Sequence, residues 1–69
     1  MLRLKAERIR RGWSQLDVAY RARIQPSELS RLERGLAIPY PGQAARLATV
    51  FEITAEQLLQ VDYPEAVAS

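Results

Sequence analysis

Ser27, Ser30, Arg31 and Arg34 lie within eight residues of one another, with Gln25 and Pro26 just before them. Those residue types suit contact with a polyanion that carries information on its edges. A guanidinium presents paired N–H donors that match O6 and N7 of guanine, and such a contact discriminates by roughly 1–3 kcal/mol. The same group also serves a phosphate as a charged, bidentate partner. Serine hydroxyls suit either target. Gln25 can bond a base edge or cap a helix weakly, and Pro26 offers van der Waals contact only, for instance to a thymine methyl. Glu28 can accept from cytosine N4 or simply favour a helix N-terminus.

These side chains need a short, presented helix, and residues 14–35 read as two such helices joined by a tight turn. Ser14, with Asp17 three residues on, forms a capping box that opens the first. Val18, Ala19 and Ala22 give it a small-residue face that lets a neighbour approach closely. Arg23 falls where the chain must turn. Ile24 is expected to plug the gap between the helices. Pro26 fits the first position of the second helix, where its missing N–H has no partner to lose, and Gly35 suits its end. Leu29 and Leu32 point inward, which leaves more than half of this helix to solvent or a ligand.

The flanking chain supplies support. Residues 2–11 read as a first helix, with Leu2, Leu4, Ile9 and Trp13 apolar and Gly12 as its stop after Arg10 and Arg11. Residues 36–42 read as a loop in which Pro39 and Pro41 hold Tyr40 extended. Residues 43–51 read as a fourth helix, with Ala44, Leu47, Ala48 and Phe51 at helical spacing. Ile53 leads to a fifth helix, capped by Thr54 with Gln57 and anchored by Leu58 and Leu59. The expected division is a domain over residues 1–60 and a tail over 61–69.

Composition removes most alternatives. The 69 residues allow one small domain, with no Cys and no His. Disulfides, thiolate or zinc-finger metal sites and a histidine base are therefore absent, and the acids are scattered. No catalytic residue, metal, cofactor or small-molecule ligand is expected, and the chain is not expected to be an enzyme. The longest uncharged run, residues 36–45, contains Pro39, Pro41 and Gly42, so it is no spanning helix. The charged N-terminus does not read as a signal peptide. The expectation is a soluble cytoplasmic protein with no membrane association. Residues 1–35 carry nine Lys/Arg against four acids, a balance of +5, whereas residues 36–69 carry one Arg against four acids, a balance of −3. A basic half beside an acidic half suits binding of a polyanion through the first.

The ordered set Ser14-Gln15, Val18-Ala19, Ser27, Leu29, the run Ser30-Arg31-Leu32-Glu33-Arg34-Gly35, Pro39 and the closing Ile53-Thr54-Ala55-Glu56-Gln57-Leu58-Leu59 resembles the Xre family of phage and bacterial repressors. The likeness covers about residues 2–60. It implies an all-α, compact five-helix lambda-repressor-like domain with a helix-turn-helix formed by helices 2 and 3. It further implies that Gln25, Pro26, Ser27 and Arg31 face the major groove, that Gln15 bonds the DNA backbone and a neighbouring side chain, and that Arg34 contacts phosphate. Arg8 and Glu33 match a buried ion pair tying helix 1 to the end of helix 3. Such a pair is physically sensible, because an unpaired buried charge is costly. Ser14, Ser30, Arg10, Arg11 and Tyr40 are further backbone candidates, although Arg10 and Arg11 also read as plain helix-end cations. Departures from the family pattern are Arg23 where Gly is common, which implies either a non-glycine residue at positive φ or a slightly different turn, Pro26 in the groove position, and Leu36, Ala37 and Ile38 where cations often sit.

The resulting expectation is a transcriptional regulator, most often a repressor, that binds a near-palindromic double-stranded DNA operator as a homodimer. Half-sites would lie about 34 Å apart. Leu59, Val61, Tyr63 and Val67 are the expected dimer surface. The alternative is an antitoxin-type module that binds a partner protein as well as DNA.

Overall fold

The computed structural model describes residues 1–61. Among them are five helices and no strand: α1 Arg3–Arg10, α2 Gln15–Ala22, α3 Pro26–Glu33, α4 Pro41–Phe51 and α5 Ala55–Leu58. Local chemistry explains most of their ends. At α2 the Ser14 hydroxyl accepts from the Asp17 amide at 3.0 Å, and the Asp17 carboxylate accepts from the Ser14 amide at 2.8 Å. Two backbone N–H groups that the helix cannot satisfy are thereby bonded. Hydrogen bonds from Ser14 to the Asp17 carboxyl, chiefly that from the Ser14 amide, hold it below its ordinary value of 3.8. The Thr54 hydroxyl likewise accepts from the Gln57 amide at the start of α5.

α4 begins two residues earlier than the expected 43–51. Pro41 occupies its first turn rather than belonging to the loop, because at that position proline sacrifices no hydrogen bond and its fixed φ suits the helix. Tyr40 is the extended residue before it, and its amide donates to Oε1 of the buried Gln43 at 3.0 Å.

The turn between α2 and α3 is left-handed at Arg23, with φ 55°. Glu52, which closes α4, is a second non-glycine residue in that conformation, at φ 57°. Side chains there cost roughly 1–2 kcal/mol in crowding against the following carbonyl. Gly12 and Gly35 take the same conformation after α1 and α3 without that cost.

One core joins the helices. Leu4, Val18, Leu29, Leu32, Phe51 and Leu58 are almost completely removed from solvent, and Ala19, Ala22, Ile24 and Leu47 fill between them. Each fully buried Leu or Phe contributes about 1.5–3 kcal/mol relative to exposure. Ile24 sits in the α2–α3 turn and is buried, which locks the crossing of those two helices. Trp13 lies at the core edge against Phe51, with ring centroids 5.4 Å apart. The chain also closes on itself: the Arg3 amide donates to the Gln60 carbonyl at 2.8 Å. No helix among the described residues is long and apolar enough to cross a membrane.

Candidate nucleic-acid interface

α3 divides into two faces. Leu29, Leu32 and Glu33 are buried, whereas Ser27, Arg31 and Arg34 are exposed and Ser30 is half-buried. At about 100° per residue, Ser27, Ser30, Arg31 and Arg34 fall within an arc of roughly 100°, opposite the buried trio. Gln25 and Pro26 extend this surface at the helix start, both exposed. Glu28 is half-buried on its flank. The Arg34 side chain lies back along the helix, its Nε donating to the Ser30 carbonyl at 3.4 Å, and Arg31 projects without an ion pair among the described residues. A short polar strip with two uncompensated guanidinium groups is thus held out by an apolar underside.

The frame that fixes α3 is polar as well as apolar. Glu33 has a side chain only 1% exposed. Its two oxygens accept from Arg8 Nε at 2.6 Å, from Arg8 Nη2 at 3.1 Å and from Gln15 Nε2 at 3.0 Å. Arg8 also donates from Nη1 to the Trp13 carbonyl at 2.9 Å. One carboxylate therefore ties the end of α3 to α1, to the start of α2 and to the segment between them. Gln15 keeps a second N–H beyond the one given to Glu33, and Ser14 keeps its hydroxyl proton, so the N-terminus of α2 retains donors suited to an anion.

Arg10 and Arg11 differ from one another. Both bond Glu7, a buried acid that composition and periodicity did not single out. Arg10 donates to Glu7 Oε1 at 2.9 Å but leaves its side chain 67% exposed. Arg11 turns inward, where fixed acceptors and aromatic rings replace part of its water shell. It bonds Glu7 and also the Phe51 carbonyl at 2.9 Å, and its guanidinium carbon lies 5.0 Å from the Phe51 ring centre. It thereby caps the carboxyl end of α4. Arg3 completes the shell at 3.3 Å from Glu7 Oε2. Burial alone would push the Glu7 carboxyl up, but hydrogen bonds from Arg11 and Arg3 and the nearby charge of Arg10 outweigh it and hold the group below its ordinary value of 4.5.

Arg46, the one cation of the acidic half, also acts at a helix end. Its Nε donates to the Ala22 carbonyl at 2.7 Å and its Nη2 to the Arg23 carbonyl at 3.4 Å. The left-handed turn before α3 is therefore clamped from α4. Arg46 lies within α4, away from any break between periodic segments, and nothing local in the sequence marks it for such a role.

After α3, Leu36, Ile38 and Tyr40 are exposed, and no cation lies among residues 36–45. Leu59 and Val61 are exposed beyond α5, while Tyr63 and Val67 lie outside the described residues. No group of metal-ligating side chains occurs among the described residues.

A family model described as a helix-turn-helix domain matches residues 2–60. No curated protein and no solved structure matches the chain. The match spans all five helices, in agreement with the lambda-repressor-like resemblance, and its DNA-binding character agrees with the presented face of α3. The chain belongs to the helix-turn-helix domain family, with α2 and α3 forming the motif.

Proposed function

We propose that this protein regulates transcription by occupying a near-palindromic operator as a homodimer, with α3 in the major groove and repression as the usual outcome. The observation that carries the reading is the outward face of α3: Ser27, Arg31 and Arg34 exposed, with Ser30 half-buried among them, opposite Leu29, Leu32 and Glu33. Arg31 reads a guanine, Ser27 and Gln25 reach neighbouring base edges, and Pro26 packs on an apolar base substituent. Ser14, Gln15, Ser30, Arg34, Arg10 and Tyr40 hold the phosphates, which positions the helix without specifying sequence. Arg11 contributes to the backbone contact chiefly by bracing the helix that carries Arg10. The DNA-binding unit is residues 1–60, and Leu59, Val61, Tyr63 and Val67 supply the contact between protomers. The site of action is the cytoplasm of a bacterium or an infected bacterial cell.

Selection from a random duplex pool tests this directly. An enriched motif with two-fold symmetry and half-site centres about 34 Å apart is the expected result. A pool that stays random after repeated rounds would overturn sequence-specific recognition. An enriched motif without symmetry would overturn the dimer.

A further inference from the structure

The positive charge of the basic half is unevenly spent. Arg3, Arg10 and Arg11 surround Glu7, and Arg8 is bound to Glu33. Arg21, Arg23 and Arg46 form no ion pair among the described residues. These three line an open groove of about 240 Å³ between the end of α2 and α4, together with Ala45, Thr49 and Val50. Two of the guanidinium groups are fixed in place by neutral partners. The Arg21 guanidinium carbon lies 4.5 Å from the centre of the Trp13 ring. Arg46 rests on the carbonyls of Ala22 and Arg23. Neither makes an ion pair, although the Arg21 charge acts at longer range on the Asp17 carboxylate, so both groups are partly ordered before an anion arrives.

We infer that this groove binds an acidic segment of a partner protein, a run of Asp or Glu with an apolar neighbour. The planar forks of three arginines match carboxylates bidentately. Ala45 and Val50 give the groove an apolar floor, and Tyr20, 87% exposed, precedes Arg21. A phosphodiester strand has no use for that floor, whereas an aliphatic or aromatic side chain beside a carboxylate does. The inference does not depend on the assignment of α3 to the major groove.

The test uses the whole chain and a fluorescein-labelled peptide of sequence Glu-Glu-Leu-Glu-Glu-Asp, read by anisotropy and by Trp13 emission. Saturable binding is expected, with an emission change as carboxylates approach the guanidinium stacked on the indole. The Arg21→Ala/Arg23→Ala double variant should bind roughly tenfold more weakly, through loss of two partly desolvated charge contacts. Both side chains are exposed, and an unchanged urea midpoint for this variant shows that it folds. Arg46 is left intact because it closes α2. Arg31→Ala/Arg34→Ala should bind the peptide within about twofold of the parent, since it leaves the groove untouched. Equal losses from both double variants would mean a diffuse positive field and overturn the assignment. So would absence of saturable binding, or competitive displacement of the peptide by unlabelled duplex DNA, which would make the groove a nucleic-acid contact.

Discussion

Removing the Glu33 carboxylate while keeping Arg8 probes the frame that presents α3. In Glu33→Ala the Arg8 guanidinium, 13% exposed at its side chain, loses both bonds to the acid and retains only the Trp13 carbonyl. Stripping one partner from a buried ion pair costs about 3–5 kcal/mol, because the survivor stays desolvated and uncompensated. A domain of 69 residues has a total stability of roughly 3.5–10 kcal/mol at about 0.05–0.15 kcal/mol per residue. The variant should therefore unfold at a temperature lower by at least about 12 °C, taking about 4 °C per kcal/mol for a chain of this size. Arg8→Met/Glu33→Leu behaves differently. It removes both charges and restores apolar volume, leaving the Trp13 carbonyl without its donor and the half-buried Gln15 amide without its acceptor, so it should lie within about 2 kcal/mol of the parent. Urea unfolding followed by far-UV circular dichroism measures all the variants, including Arg8→Met and Glu33→Leu alone, which complete the cycle. The reasoning fails if Glu33→Ala loses less than about 1 kcal/mol, or if the double variant is as unstable as the single one.

Other consequences can be checked on the same material. Arg31→Ala should relax preference at one base-pair position of the selected operator, whereas Arg34→Ala should weaken all sequences alike and reduce the salt slope by about one, as binding titrations over a salt series would record. Gly35→Ala should cost about 1 kcal/mol through backbone strain alone, since an added Cβ meets open space at φ +74°. Arg23→Gly relieves the same strain and should raise the urea midpoint slightly, the gain being reduced by the extra freedom of glycine in the unfolded chain. The folded-state values of Glu7 and Asp17 are depressed, so their stabilising contribution is complete above the ordinary values of 4.5 and 3.8 and is lost as pH falls through the lower folded values. Urea midpoints should thus fall below about pH 4.5, and Glu7→Gln should flatten that decline while lowering stability at neutral pH.

The fold was legible where the determinants are local. Ser14 and Asp17 announce α2, Pro26 and Gly35 bracket α3, and Leu29 and Leu32 assign its inner face from spacing alone. The late start expected for α4 came from reading Pro41 as a breaker when, like Pro26, it begins a helix. The long-range polar chemistry was far less visible. Nothing around Glu7 distinguishes a buried hub from a solvated helix charge, and nothing around Arg46 points 24 residues back to the carbonyl of Ala22. Arg11 illustrates the general difficulty. Its position after a helix suits a phosphate contact or an end-of-helix cation, and only the packing of α4 brings the Phe51 carbonyl within its reach. The outward set Ser27, Ser30, Arg31 and Arg34 could be read early because one helix carries it all.

The hydrogen bond from the Arg3 amide to the Gln60 carbonyl makes residues 3–60 nearly a closed loop. Connectivity in such a fold is largely interchangeable. A short linker from Val61 to Leu2, with new ends opened between Ile38 and Pro39, would preserve every helix, both arginine caps and the Glu33 junction. The order in which α1 to α5 are strung together is then a matter of descent and folding kinetics, and the binding surface belongs to the packed arrangement rather than to the thread that reaches it.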